Sequence, residues 1–293
     1  MINFRIIKSR DHGGMFSNFL QVLQGLYLSD LDDFIPIVDW NMIWCAQKDP
    51  YNGSTNVWEY YFEPVSSYSI NDVDMDKDKV KIMRKYKRKG KNVKGWDRSC
   101  WDFKTKPPKY CLNNPKKECR YFINDIINKH IKIKKCIHDK IDDFYNKNLK
   151  GFNVLGVHMR AVNDIRNCKR NLLYDDYITP MKEYLSKNEN SKIFLATDSA
   201  VCLRYMKNFF GDNLVNYDCC ISENDYLTMT GSSHISEGIS GGPGRGEEVI
   251  IDTILLSKCN KLVHGISNVS SVAMYFNSEM EHEYIPVRNQ MVK

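Results

Sequence analysis

The sequence predicts an α/β protein made of two halves, each a parallel sheet with covering helices. Short apolar runs of strand length alternate with longer runs at helical spacing near the N-terminus and again from residue 153 onward. The strands of the second half end in polar residues, as expected where a parallel sheet presents a ligand at its carboxyl edge. Residues 69–118 separate the two patterns with acidic, then basic, then proline-bearing runs that lack either period.

Phe4 to Ile7 reads as a strand, and Arg10 to Gly14 as a polar, glycine-bearing turn. From Met15 to Leu28, Phe16, Phe19, Leu20, Leu23, Leu26 and Tyr27 recur at helical spacing. Ile35 to Val38 is a second strand, ended by Asp39 and Trp40. The aromatic run Trp58 to Pro64 is expected to pack as a lid or loop under this half. Helical periodicity returns from Tyr121 to Leu149, and the boundary falls near Lys150 and Gly151, giving domains 1–150 and 151–293. In the second domain, strands are expected at Asn153 to His158, Lys192 to Ala196, Leu214 to Tyr217 and Lys261 to His264. Helices are expected at Tyr174 to Ser186, at Val201 to Phe209, and in the amphipathic stretch from Glu247. Gly238 to Gly246 reads as a glycine-rich loop. This repeating βα order is that of a nucleotide-binding, Rossmann-like fold.

A chain of 293 residues has length for one large domain or two modest ones, and 42% apolar with 27% charged residues is ordinary for a globular protein. No run approaches the roughly 20 apolar residues of a membrane span. The N-terminal stretch lacks the apolar core of a signal peptide, so a cytoplasmic location is expected. Ten scattered cysteines form no CxxC pair and no Cys/His zinc spacing, which predicts reduced, mostly buried thiols and no metal site. The net charge of +6 is concentrated between Lys77 and Arg98. That segment reads as a solvated insertion or helix face; its other use is attraction of an anionic substrate, membrane surface or nucleic acid. Tyr86, Trp96, Trp101 and Tyr110 could stack on bases or sugars, but no RNA-binding, finger or helix-turn-helix signature accompanies them, so no nucleic-acid partner is expected.

Three stretches of the second domain carry candidate chemistry: GVHMRAVND (Gly156 to Asp164), FLATDS (Phe194 to Ser199) and HGISNVSS (His264 to Ser271). Arginine neutralises phosphate through charge-assisted hydrogen bonds, and a carboxylate accepts from the N–H edge of a base. A turn of small hydroxyl and amide residues opening onto a helix N-terminus binds phosphate through backbone N–H groups and the helix dipole. A strand-end His or Asp alone is as readily a turn or cap residue, so the ordered combination carries the reading.

That combination resembles the fucosyltransferases: α1,6-fucosyltransferases, including the bacterial nodulation enzymes, with relatives among the α1,2- and protein O-fucosyltransferases. GVHMRAVND resembles their His-x-Arg-Arg-Thr-Asp strand end, FLATDS their ATDD, and EVIIDTILLSKCNKLVHGISNVSSVA their last nucleotide-sugar-binding segment. GGMFSNFLQVLQGL is similar to their glycine-rich first turn and helix. The resemblance implies two Rossmann-like domains facing a cleft, a GT-B-like arrangement, and an inverting, metal-independent glycosyltransferase. Carried over, it puts His158 and Asp252 on the nucleobase, Arg160 on the diphosphate, and Ser267 and Asn268 beside the phosphates or base. Asp198 would shape the donor pocket, and Arg245 would be a second diphosphate contact.

Two departures bear on the donor and the base. The family's second adjacent arginine is Ala161, which removes one phosphate-neutralising charge. Where the α1,6-enzymes carry a candidate base this chain has Asn167, Cys168 and Lys169, leaving the base open among Asp11, His12 and Asp164. Asp72 and Asp74 have Asp-x-Asp spacing, but the surrounding run fails as a calcium loop, with Lys77 at its sixth position and Met83 at its twelfth. GGPGRG, Gly241 to Gly246, lacks the Gly-Lys-Ser/Thr of a P-loop. The expected function is transfer of a sugar from a nucleotide sugar, GDP-fucose favoured, to a glycan or other hydroxyl acceptor, with no cofactor beyond that co-substrate. The alternatives are the same fold using another donor such as UDP-xylose, and a non-catalytic protein that binds glycan or nucleic acid.

Overall fold

β1 (Asn3–Lys8) is the centre of a three-stranded parallel sheet, flanked by β2 (Ile35–Asp39) and β3 (Lys79–Met83) in the order β2-β1-β3. These coordinates come from a computed structural model that describes residues 1–9, 14–41, 45–83, 115–161, 174–219, 221 and 242–286. The chain divides into two compact units. The described residues of the first are 1–9, 14–41, 45–83, 115–138 and 242–247; the second holds 139–161, 174–219, 221 and 248–286.

In the first unit α1 (Met15–Asp32) covers the sheet and buries Phe16, Phe19, Leu20, Leu23 and Leu26, the stripe its helical spacing predicts. Gly25 lets the helix lie against β1, because a Cβ there would collide with the Ile7 side chain. Trp58, Tyr60, Tyr61 and Phe62 are buried in a short 3₁₀ turn and its exit, with Trp58 stacked on Phe62 at 4.3 Å and edge-on to Trp40 at 5.0 Å. The expected lid is therefore core, since four large aromatics together bury more apolar area than any loop over a surface.

The single helical run expected from 121 to 149 is two helices, α2 (Lys117–His130) and α3 (Lys135–Asn148). Between them, Ile131 to Lys134 alternates apolar and charged residues and pairs as an extended segment: Glu63 N–H donates to Lys132 O (2.8 Å) and Lys134 N–H to Tyr61 O (2.9 Å). β3 also lies inside the stretch expected to be irregular, and it accounts for part of the basic run. Lys81 pairs with Asp32 at 2.9 Å and, with Lys79, lies over the Phe34 ring. Cys119 is disulfide-bonded, which corrects the expectation of a reduced thiol at that position. The free cysteines among the described residues are Cys45, Cys136, Cys202, Cys219 and Cys259, of which Cys136 is exposed. No helix among the described residues is long and apolar enough to cross a membrane.

The second unit is a five-stranded parallel sheet in the order β6-β5-β4-β7-β8, from β4 (Asn153–Met159), β5 (Ser191–Thr197), β6 (Leu214–Val215), β7 (Lys261–His264) and β8 (Glu281–Tyr284). Counted from its own first strand this is 3-2-1-4-5, the Rossmann order. Leu155, Val157, Met159, Ile193, Leu195 and Val263 pack on one face with α4 (Tyr174–Lys187) and α5 (Ala200–Phe210). Alternate residues face the other side, where Gly156 meets Cys259 and Leu256 at the end of α6 (Pro243–Ser257), and Phe194 meets Phe144 of α3. α7 (Asn268–Phe276) connects β7 to β8, a strand without an apolar signature of its own. α6 begins at Pro243, inside the expected glycine-rich loop. Proline suits a first helical turn because the N–H it lacks has no intrahelical partner there.

Candidate functional site

In the second unit the strand order reverses at β4. The chain steps from β4 through β5 to β6 on one side, then returns to lay β7 against β4 on the other. In such a sheet the crevice at the carboxyl ends of the two diverging strands is the ligand site. All three polar strand ends lie at that edge: His158 is the register partner of both Ala196 and His264, and Met159 that of Thr197.

Arg160 leaves the end of β4 with its side chain 44% exposed, and its Nε is 4.0 Å from Asp198 Oδ2. Asp198 Oδ1 accepts the Ala161 backbone N–H at 2.8 Å. One carboxylate thus holds the end of β4 and anchors the arginine side chain that follows it. The Ala161 side chain lies in the core beside Tyr174 and Tyr177, so the position of the absent second arginine is a packed interior one here.

At the end of β7 the turn Gly265–Ile266–Ser267 opens onto α7. Ser267 is the N-cap, its hydroxyl accepting the Val269 N–H at 3.2 Å, and Asn268 is the first helical residue. Ser270 and Ser271 are buried and donate back to main-chain oxygens, including that of Ser267. The serine cluster therefore divides: Ser267 and Asn268 stay at the open helix N-terminus, where the helix dipole favours an anion, and the other two brace the turn. Gly265 is required because a Cβ would lie 2.7 Å from the Tyr177 hydroxyl.

Sequence reading named His264 only as a strand end, yet it is fully buried and organises this edge. Its Nδ1 lies 3.0 Å from Gly265 O and its Nε2 3.1 Å from His282 Nδ1. A carbonyl only accepts, so Nδ1 carries the proton and Nε2 accepts from His282. Burial is the main cause that pushes His264 down to about 3, assisted by the neighbouring His282 and His158, so the ring is neutral at ordinary pH.

Asp252, on α6, lines a small, partly open pocket with Leu195, Thr197, Asn216, Tyr217 and Cys219. The Cys219 thiol donates to Oδ2 at 3.5 Å, while Oδ1 is sealed from solvent and meets no donor among the described residues. Burial pushes the carboxyl up to about 8, Glu248 one turn earlier adds to the rise, and the thiol hydrogen bond opposes it. Cys219, Asn216 and Tyr217 carried no sequence signal, since the residues that face Asp252 lie some thirty positions away on a segment with no motif.

His158, Arg160, Asp198, Asp252, Ser267 and Asn268 all belong to the second unit. Arg245 is half-buried on the first turn of α6, a turn that belongs to the first unit. There the Tyr61 hydroxyl donates to Pro243 O at 2.9 Å and that of Tyr51 to Glu247 Oε2 at 2.8 Å. Asp11, His12 and Asp164 lie outside the described residues, as do Asn167 to Lys169 and the basic segment beyond Met83. Asp72 and Asp74 are occupied locally: Asp72 forms a capping box with Ser69, and Asp74 pairs with Lys77 at 2.9 Å. Among the described residues no group of three or more His, Cys, Asp or Glu side chains could hold a metal ion.

Neither a protein-family model nor a curated protein sequence matches the chain. Solved structures do. Fucosyltransferase NodZ from Bradyrhizobium is 17% identical, with a TM-score of 0.51 over 94% of this chain and 92% of that one. NodZ α1,6-fucosyltransferase soaked with GDP-fucose gives 0.52 at 16% identity, over 96% and 93%. POFUT1 in complex with GDP gives 0.53 at 11% identity, over 97% and 99%. The chain has a fucosyltransferase-like α/β fold.

Proposed function

We propose that the chain is an inverting, metal-independent glycosyltransferase that moves a sugar, fucose from GDP-fucose by preference, onto a hydroxyl of a glycan or other acceptor. The observation that carries this reading is the adjacency, at the β4–β7 switch point, of the strand ends bearing Arg160 and the α7 N-terminus. It is supported by a fold whose neighbours bind GDP or were soaked with GDP-fucose.

In this reading Asp252 accepts from the base N–H edge in its pocket, with His158 at the base's rim. Arg160, held by Asp198, and the N–H groups capped by Ser267 take the diphosphate, with Asn268 beside them. The acceptor binds to the domain of residues 1–150. A base drawn from Asp11, His12 and Asp164 removes the acceptor proton as its oxygen bonds to the anomeric carbon from the face opposite the diphosphate. The anomeric C–O bond breaks, its electron pair leaves on the diphosphate, and Arg160 with the helix N-terminus stabilises that charge without a metal. Arg245 is a second contact for the same diphosphate.

The test is a thermal-shift panel of GDP, GDP-fucose, UDP and UDP-xylose with chelator present, followed by product analysis of the anomeric configuration. A ligand at 100 times its dissociation constant stabilises by about 2.7 kcal/mol. Selective response to GDP and GDP-fucose is expected. Selectivity for UDP-xylose would keep the enzyme class and replace the donor, and binding without transfer to any acceptor would favour a non-catalytic protein. Arg160→Ala should weaken diphosphate binding by about 10- to 100-fold, the worth of a hydrogen bond to a charged group. Its melting temperature should stay unchanged, because that side chain is 44% exposed. Activity lost in chelator and restored by manganese would overturn the metal-independent mechanism.

A further inference from the structure

The Asp252 carboxyl has one oxygen hydrogen-bonded and one without a donor among the described residues. Cys219 donates to Oδ2, and Oδ1 meets no donor among the described residues although it is sealed from solvent. Both residues line the same pocket, which also holds the Asn216 amide and the Tyr217 ring. A buried carboxyl oxygen left without a donor incurs a desolvation cost that a ligand N–H can offset. The carboxyl must also be held still, or a base cannot meet it at a defined angle.

We propose that Cys219 is the positioning residue of this nucleobase pocket: its thiol hydrogen bond holds Oδ2 and leaves Oδ1 as the oxygen that receives the donor's base. The role rests on the donor reading given above and adds to it a residue outside the three strand-end motifs. Among the described residues, the titratable and charged groups around the carboxyl are these. Glu248 precedes it by one turn on α6, and Cys219 and Tyr217 face it from the segment after β6, with Asp218 beside Cys219. From β5 and α5 it meets Leu195, Thr197 and Leu203, none of which titrates. Among these neighbours the thiol is the group whose contact favours the ionised carboxyl, whereas Glu248 and burial oppose it. An ionised carboxylate is the stronger acceptor for a base N–H. Removing the thiol should therefore move the ionisation to higher pH and carry base affinity with it.

The experiment compares wild type, Cys219→Ala and Cys219→Ser in two measurements across pH 5.5–8.5. One is the Asp252 carboxyl titration by carbon NMR, assigned by its loss in Asp252→Asn. The other is GDP and UDP affinity by calorimetry. In Cys219→Ala the carboxyl midpoint should rise and affinity near neutral pH should fall about fivefold, the worth of one hydrogen bond, with the deficit narrowing as pH rises. Cys219→Ser keeps a hydroxyl donor and should restore both. With wild-type binding intact, an unmoved midpoint, or an affinity loss equal at every pH, overturns this role and leaves the donor reading standing. Absence of any nucleotide binding by wild type removes both.

Discussion

Replacing Asp252 with asparagine tests what the buried carboxyl costs the unliganded protein. The native carboxyl is pushed up to about 8, against 3.8 for the free side chain. Below pH 4 it is protonated whether the chain is folded or not, and it contributes nothing to the pH dependence. As pH rises the unfolded chain ionises first and gains stability that the folded state cannot match until its own carboxyl ionises. The native state therefore loses about 1.4 kcal/mol per pH unit between roughly pH 4 and pH 8, relative to a variant that cannot ionise. At pH 7 the ceiling on this cost is about 4 kcal/mol. Tryptophan fluorescence is the wrong probe, since Trp40, Trp44, Trp58, Trp96 and Trp101 all precede the second unit's first strand. Amide exchange of the β4 and β7 backbone reads the correct unit. Asp252→Asn should raise protection there, and its advantage should grow by up to about 100-fold between pH 5 and pH 7. The same variant should bind nucleotide more weakly as pH approaches and passes about 8, where the native carboxyl ionises and gains a charge the amide lacks. An advantage in protection that is the same at both pH values would refute the reasoning, because it would mean the carboxyl is not the source.

His264 runs the opposite way. Its folded value of about 3 lies below the 6.5 of a free imidazole, so its contribution is complete above about pH 6.5 and is lost as pH falls toward 3. His264→Gln should flatten the acid limb of the second unit's stability, which in wild type falls by up to about 1.4 kcal/mol per pH unit, read by the same amide exchange. In the first unit, a Cβ on Gly246 would collide with the Tyr61 hydroxyl beneath the first turn of α6. Gly246→Ala should therefore destabilise that unit by about 1–3 kcal/mol, and here tryptophan fluorescence of Trp40 and Trp58 is the suitable readout. An unchanged unfolding curve would mean the turn shifts without strain.

The helical stripe of α1 and the strands β1, β2, β4, β5 and β7 were legible because each buries a local pattern: period near 3.6 in one case, short apolar runs in the others. The three strand ends were legible because a strand stops where its polar residues begin. What local pattern could not reveal was decided by pairing. Ile131 to Lys134 leaves the helix because its alternating residues find the main chain of Tyr61 and Glu63. β3 and β8 are strands because a neighbour supplies their hydrogen bonds, although Lys79–Met83 and Glu281–Tyr284 carry charges in place of an apolar run. The aromatic run at Trp58 became core because only the folded unit stacks Trp40, Trp58 and Phe62 together.

The candidate site divides along the same line. The sequence by itself determined which chemistry was present at the second sheet's edge: a histidine and arginine after one strand, an aspartate after the next, and a capped helix turn after β7. These are properties of residues and their neighbours in the chain. Only the tertiary structure decided that His158 and His264 are register partners, that Asp198 holds Arg160 and the Ala161 N–H, and that Cys219 meets Asp252. Desolvation made that last contact matter. Asp252 acquires an elevated ionisation and an oxygen in want of a donor only after α6 has packed against the sheet, and burial of that kind is a property no stretch of sequence contains.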